Sequence, residues 1–170
     1  GERFPRIDEG RHRVRADARE DLAAALEAIA AEGGGKPPRV LHVASVAVPA
    51  PGPGELSVRV AAAGLNPLDG KIRDGQLRWL PLLARPPRGV GTDFAGTVEA
   101  VGPGIDAYAP GDRVFGSLSP LARQGSFAEV VVVRPDRIAR VPAGVSLETA
   151  AALPVAAGTA VQALTDDVAL

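Results

Sequence analysis

Residues 61–75 read AAAGLNPLDGKIRDG, and the blocks GTDFAGTV at 91–98 and GDRV at 111–114 follow in that order. Directly before the first block, LSVRV at 56–60 alternates apolar and polar residues, which is the period of a half-buried strand. Glycine and proline punctuate the rest of the chain and bound further short strand patterns, at about 92–102, 112–117, 127–133 and 137–141. Short strands joined by turns predict a small β-barrel.

Helical patterns flank this region on both sides. The D-x-x-E spacing of Asp17 and Glu20 forms a capping box, which opens a helix predicted over residues 17–32. Strand patterns before and after that helix predict a β-α-β unit over about residues 11–48. On the other side, residues 146–164 predict helix, with Pro154 dividing the run.

The composition excludes several classes of function. A net charge of −1 argues against nucleic acid as a partner, because phosphate binding needs an excess of cationic residues. The chain has no cysteine and only two histidines, so a thiolate zinc site is excluded and no metal site is predicted. No apolar run approaches the roughly 20 residues that span a bilayer. The sequence therefore predicts a cytoplasmic protein with neither nucleic acid nor membrane as a partner.

The order of the glycine-rich blocks matches a known family. Residues from about 39 to 165 resemble the zinc-independent quinone oxidoreductases and the enoyl reductases of polyketide and fatty-acid synthases, in the medium-chain dehydrogenase/reductase superfamily. The resemblance rests on six blocks in family order: PGPGE at 51–55, AGLNPLD at 63–69, GTDFAGTV at 91–98, GDRV at 111–114, GSFAE at 125–129 and AALP at 151–154.

This resemblance implies both a fold and an activity. The fold is a GroES-like, partly open β-barrel over residues 46–165, with a β-α-β appendage at 1–45 and the entry to a cofactor domain at 166–170. The activity is the reduction of a conjugated C=C bond by NADPH without a metal ion. No G-x-G-x-x-G fingerprint follows a strand in this sequence, so we expect a Rossmann domain outside the chain to bind most of the NADPH.

Three polar residues are the candidates for catalysis. In the resembling reductases the position of Asn66 lies near the nicotinamide and the substrate, where an amide can donate and accept hydrogen bonds. The alternative is an asparagine that bonds its own turn before Pro67. Asp69 and Lys71 follow on the same segment and either orient Asn66, donate a proton, or form a solvated ion pair.

Other motif residues are assigned to cofactor binding or to structure. Thr159 corresponds to a cofactor-facing threonine of the family, and a hydroxyl that bonds back to its own helix is the alternative. Asp93 and Asp112 are expected to bond nearby main-chain N–H groups. The glycines at 91, 96, 102 and 111 are expected at turns or bulges.

The sequence supports two alternative substrates, each with its own partners. The appendage resembles part of the structural half of a polyketide-synthase ketoreductase, which favours a carrier-bound enoyl chain with acyl carrier protein or flanking synthase domains as partners. The alternative is that residues 11–48 supply a helix and a strand that in family members come from the C-terminal part of the chain. The variant N-P-L-D at 66–69 favours a free quinone. In either case a nucleotide-binding domain is an expected partner. The alternative of a different class is a non-catalytic scaffold domain of a multidomain synthase.

Overall fold

The computed structural model describes residues 48–73, 76 and 89–167, without the side chains of residues 73, 166 and 167. Within these residues five antiparallel strands form one open sheet in the order β4-β1-β2-β3-β5. The strands are β1 (Leu56–Gly64), β2 (Asp93–Val101), β3 (Arg113–Ser117), β4 (Val130–Val133) and β5 (Ile138–Arg140). This arrangement confirms the mainly β, GroES-like fold. The predicted helix at 17–32 and its β-α-β unit lie outside the described residues.

Three helices accompany the sheet in this part of the chain: α1 (Pro67–Arg73), α2 (Leu147–Ala151) and α3 (Pro154–Gln162). A 3-10 turn at Pro135–Arg137 leads into β5, and a π-helical turn at Ala163–Asp167 follows α3. The predicted division of residues 146–164 at Pro154 is confirmed. No helix of the described ranges is both long and apolar enough to cross a bilayer.

The alternating strand residues build the core. Leu56 and Val58 of β1 pack with Phe94 and Val98 of β2, and all four are at most 2% exposed. Ala95 points to the opposite side of β2, where it packs with Ala150 and Ala151 of α2. Both faces of β2 are therefore covered, which accounts for the run of buried residues at its start.

Short strand β4 lies at one edge of the sheet, where it pairs with β1. The side-chain amide of Gln124 contacts its outer side: Val132 N–H donates to Gln124 Oε1 at 3.1 Å, and Gln124 Nε2 donates to the carbonyl of Val132. The sequence predicted this strand from residue 127. It begins at Val130 instead, and the N–H groups of Ser126 and Phe127 bond the carbonyls of Gly91 and Val90.

Two of the predicted structural glycines show the expected turn conformation. Gly91 and Gly111 have φ values of 91° and 96°, a region that L side chains rarely adopt. Gly91 directly precedes Thr92 and β2, and Gly111 lies in the turn between β2 and β3.

Candidate active site

Helix α1 begins immediately after β1, and Asn66 lies at the junction. The main-chain N–H of Asn66 donates to Asp69 Oδ2 at 2.7 Å, and Asp69 N–H donates to the carbonyl of Asn66 at 3.0 Å. This is half of a capping box. Pro67 occupies the first helical position, where the N–H that proline lacks would have no acceptor within the helix. The helix was not predicted, and the Asn66–Asp69 spacing is the signal that would have located it.

The side chain of Asn66 reaches across to the residue before β2. Its Nδ2 donates to Thr92 Oγ1 at 3.2 Å, and Thr92 is only 5% exposed. The amide therefore does not bond its own turn, which was the alternative interpretation. Its carbonyl oxygen has no hydrogen-bond partner among the residues that the structure describes, so both the oxygen and the second amide hydrogen are available to a ligand.

Asp69 lies beneath Asn66 and is 2% exposed. Burial raises the pKa of its carboxyl group, and the nearby charge of Asp93 raises it further, while the N–H groups of Asn66 and Gly91 oppose the shift. Its Oδ1 has no hydrogen-bond partner in the described ranges. Asp69 is therefore a buried carboxyl group that orders the Asn66 main chain, and the alternative of a solvated ion pair does not hold for it.

The other two candidates lie outside this pair. Lys71 is exposed on α1, and Thr159 is exposed on α3, four residues after Val155. The structure thus brings Asn66 and Asp69 together and leaves Lys71 and Thr159 outside the cleft described next.

A cleft of about 420 Å³ opens beside Asn66. Apart from Asn66 and Asp69, it is lined by Leu65, Pro67, Gly70, Val90 and Phe127. Leu65 is 78% exposed and Phe127 is 48% exposed, so large apolar groups face the open space. Its chemistry is that of a small-ligand site, with apolar walls and a few convergent polar groups.

The far wall of the cleft is held by two paired loops. Ser126 N–H donates to the carbonyl of Gly91, and Phe127 N–H donates to the carbonyl of Val90, both at 3.0 Å. A Cβ atom on Gly89 would lie 2.2 Å from the Gly125 nitrogen, so the two backbones are in close contact. Sequence reasoning missed Val90 and Phe127 as site residues, although Phe127 belongs to one of the recognised blocks.

The lining residues fit one part of a nicotinamide cofactor. Apolar walls and a free amide suit a flat ring that carries a carboxamide group. Among the described residues, the lining includes no lysine or arginine that could pair with a pyrophosphate. Among the described residues no group of three or more histidine, aspartate or glutamate side chains could hold a metal ion.

The two aspartates expected to serve structure both bond main-chain N–H groups; the partner of Asp112 is nearby in sequence, as predicted, whereas the partner of Asp93 is 62 residues away. Asp93 Oδ2 accepts from Val155 N–H at 3.0 Å, at the start of α3. Asp112 Oδ2 accepts from Ala109 N–H at 2.8 Å, and its other oxygen lies 2.6 Å from Arg140.

Comparison with known proteins agrees with this geometry. Residues 52–143 match the family of the alcohol dehydrogenase GroES-like domain. The chloroplastic quinone-oxidoreductase homolog of Spinacia oleracea is 45% identical over 133 residues, which are 78% of this chain and 39% of that protein. The enoyl reductase component of the lovastatin nonaketide synthase of Aspergillus terreus is 41% identical over 110 residues, covering 62% of this chain and 28% of that one.

Among solved structures, the quinone oxidoreductase of Coxiella burnetii superposes with a TM-score of 0.71 at 34% identity. The match covers 77% of this chain and 42% of that one. The chain therefore spans about two fifths of the length of the spinach and Coxiella proteins.

Proposed function

Since this chain belongs to the alcohol dehydrogenase GroES-like domain family, within the medium-chain dehydrogenase/reductase superfamily, we propose that it is the substrate-side half of an NADPH-dependent reductase. The reaction is the metal-free reduction of a conjugated C=C bond. The observation that carries this proposal is Asn66, whose amide is fixed by Thr92 at the edge of an apolar cleft and whose second amide hydrogen has no partner among the described residues.

The proposed chemistry assigns each side chain a separate task. When bound, NADPH supplies the hydride. The free amide hydrogen of Asn66 donates to the carbonyl oxygen of the substrate, where negative charge develops as the conjugated bond accepts electrons. Asp69 holds the main chain of Asn66 in place, and Lys71, exposed on the same helix, is the candidate proton donor.

Cofactor binding is proposed to depend mainly on a nucleotide-binding domain outside these residues. Phosphate groups need cationic side chains or helix N-termini, and the described part of the cleft lining offers no cationic side chain. Helix α3 supports this arrangement: it reads PVAAGTAVQ, carries no charge, and has no buried residue. Such an uncharged surface suits burial against a second domain. Thr159 lies on this helix, and we propose that it contacts the cofactor there.

The substrate is proposed to be a quinone or an enoyl thioester. The names of the spinach and Aspergillus relatives support one choice each. If the substrate is an enoyl thioester, acyl carrier protein and flanking synthase domains are the proposed partners. The proposed location is the cytoplasm.

A two-step experiment tests the proposal. Calorimetric titration of NADPH into the 170-residue chain should show no micromolar binding. The chain is then fused to the nucleotide-binding part of the spinach relative, and NADPH oxidation is measured with a quinone and with an enoyl thioester. We expect turnover with at least one of these substrates.

Asn66→Ala should reduce that turnover about 100-fold, a typical loss for an oriented donor to developing charge. Gln76→Ala is the matched control, because it removes an exposed amide outside the cleft lining. A fusion that binds NADPH and reduces neither substrate would contradict the proposal and favour the scaffold alternative.

A further inference from the structure

Two consecutive buried residues at the start of β2 contact different parts of the molecule. Thr92 accepts the hydrogen bond from the Asn66 amide, and Asp93 accepts the hydrogen bond from Val155 in α3. Both side chains are nearly inaccessible to solvent, at 5% and 1% exposure. One short stretch of backbone thus touches both the cleft and the helix that is proposed to meet the cofactor domain.

Asp93 supplies the side-chain hydrogen-bond acceptor that α3 lacks at its own N-terminus. The residue before the helix is Leu153, which has no side-chain oxygen to accept a hydrogen bond from the first helical N–H groups. The carboxylate of Asp93 accepts one of them from a position 62 residues away. A negative group at a helix N-terminus is favourable, and the burial of the Asp93 side chain, at 1% exposure, holds its carboxylate in one place.

The contacts around Asp93 leave little room for the end of α2, which leads into α3, to move relative to β1. Gly64, at the end of β1, pairs with Asp93. A Cβ atom on Gly64 would lie 2.4 Å from the carbonyl oxygen of Ala151 and 3.1 Å from the Cβ of Asp93. The end of α2 therefore presses directly on the strand that leads, two residues later, to Asn66.

We propose that Asp93 is a positioning residue that fixes helix α3 relative to Asn66, which lines the cleft. This inference rests on the proposed function, because α3 is there the surface that meets the cofactor domain. A displacement of about 1 Å between reacting groups can reduce a rate about 100-fold, so a rigid link between these two elements has a direct effect on turnover.

The first test compares two variants of Asp93 in the fusion enzyme. Asp93→Asn keeps an oxygen that can accept the Val155 N–H, whereas Asp93→Ala removes it. For Asp93→Ala we expect kcat to fall about 10- to 100-fold while KM for the substrate changes by less than about threefold. Asp93→Asn should restore kcat to within about threefold of the parent. Equal kcat per folded molecule in the parent and Asp93→Ala would overturn the proposal, because a purely structural role predicts lower stability only.

The second test needs no activity and uses the chain itself. Asn66 is the sole asparagine in the sequence, so its side-chain NH₂ signals can be identified in a sample labelled with ¹⁵N in asparagine only. Asp93→Ala should shift these signals, and the Val155 N–H signal should shift in a valine-labelled sample. Asp93→Asn adds a second NH₂ pair, which is recognised by its absence from the parent spectrum, and should leave the Asn66 pair near its parent position. Unchanged Asn66 signals in Asp93→Ala would refute the link to the cleft even if the proposed reaction were correct.

If Asp93→Ala does not fold, Asp93→Leu fills a similar space without an acceptor and replaces it in both tests. A fusion without activity, combined with the expected spectral shifts, would instead contradict the proposed function and leave the positioning role intact.

Discussion

Substitution of Gly64 by alanine should destabilise the protein through a single contact with the main chain. The added Cβ would lie 2.4 Å from the carbonyl oxygen of Ala151, where ordinary contacts begin at 3.4 Å, so the end of α2 must move by about 1 Å. Forcing an extra methyl group into a packed site costs about 1 to 3 kcal/mol. The reduced entropy of the unfolded chain offsets about 0.4 to 1 kcal/mol of this, which leaves a net loss of roughly 1 to 2 kcal/mol.

Urea unfolding followed by circular dichroism measures this loss, and Gly158→Ala is the matched control. Gly158 lies inside α3, and a Cβ atom there would meet nothing within 4 Å. The control should therefore gain about 0.5 to 1 kcal/mol from the better helix propensity of alanine. If Gly64→Ala were as stable as the parent, or as stable as the control, the close contact between β1 and α2 would be refuted.

Three further predictions concern stability. Phe94→Ala removes a fully buried ring from the core and should lower the free energy of unfolding by about 3 to 5 kcal/mol in the same urea assay; a loss below about 1 kcal/mol would contradict the packing. The pKa of Asp69 is raised in the folded state. Its contribution to the free energy of unfolding is therefore most favourable below the unfolded pKa near 3.8 and is lost as pH rises through the folded pKa. Asp69→Asn should remove this loss of stability at higher pH, so the urea midpoint should depend less on pH. An unchanged slope of the urea midpoint against pH would contradict the raised pKa of Asp69. The pKa of Asp112 is held below its usual value by Arg140 and by the Ala109 N–H, so its contribution is present above the unfolded pKa and is lost as pH falls. Asp112→Asn should lower the urea midpoint slightly at neutral pH and low salt, and an effect that did not shrink at high salt would argue against an ionic contribution.

The local patterns of the sequence predicted most of the sheet. The alternation at 56–60 located the start of β1, which continues four residues further to Gly64, and the glycine and proline boundaries located β2 and β3 to within one residue. They missed α1, because PLDGKIR contains proline, glycine and aspartate, which are weak helix formers. Its formation depends on the cap that Asn66 and Asp69 build and on packing, not on propensity.

The site was predictable only where its residues are close in sequence. Asn66 and Asp69 lie three positions apart, and their shared location follows from the segment that carries them. Val90 and Phe127 meet through loop pairing between distant segments, and the bond from Val155 to Asp93 spans 62 residues. Periodicity and spacing carry no information about such long-range contacts, so the far wall of the cleft could not be derived from them.

The contact of Gln124 with β4 has a consequence for how copies of this protein behave towards one another. Among the described strands, the outer side of Val130–Val133 is an edge of four consecutive valines, and an unpaired edge of this composition is a template for intermolecular β-pairing. Gln124 offers Val132 one donor and one acceptor, as a peptide group of a neighbouring strand would. The side chain thereby occupies the position at which a second molecule would begin to add its own strand, so one glutamine helps to keep the edge of the sheet from recruiting other chains.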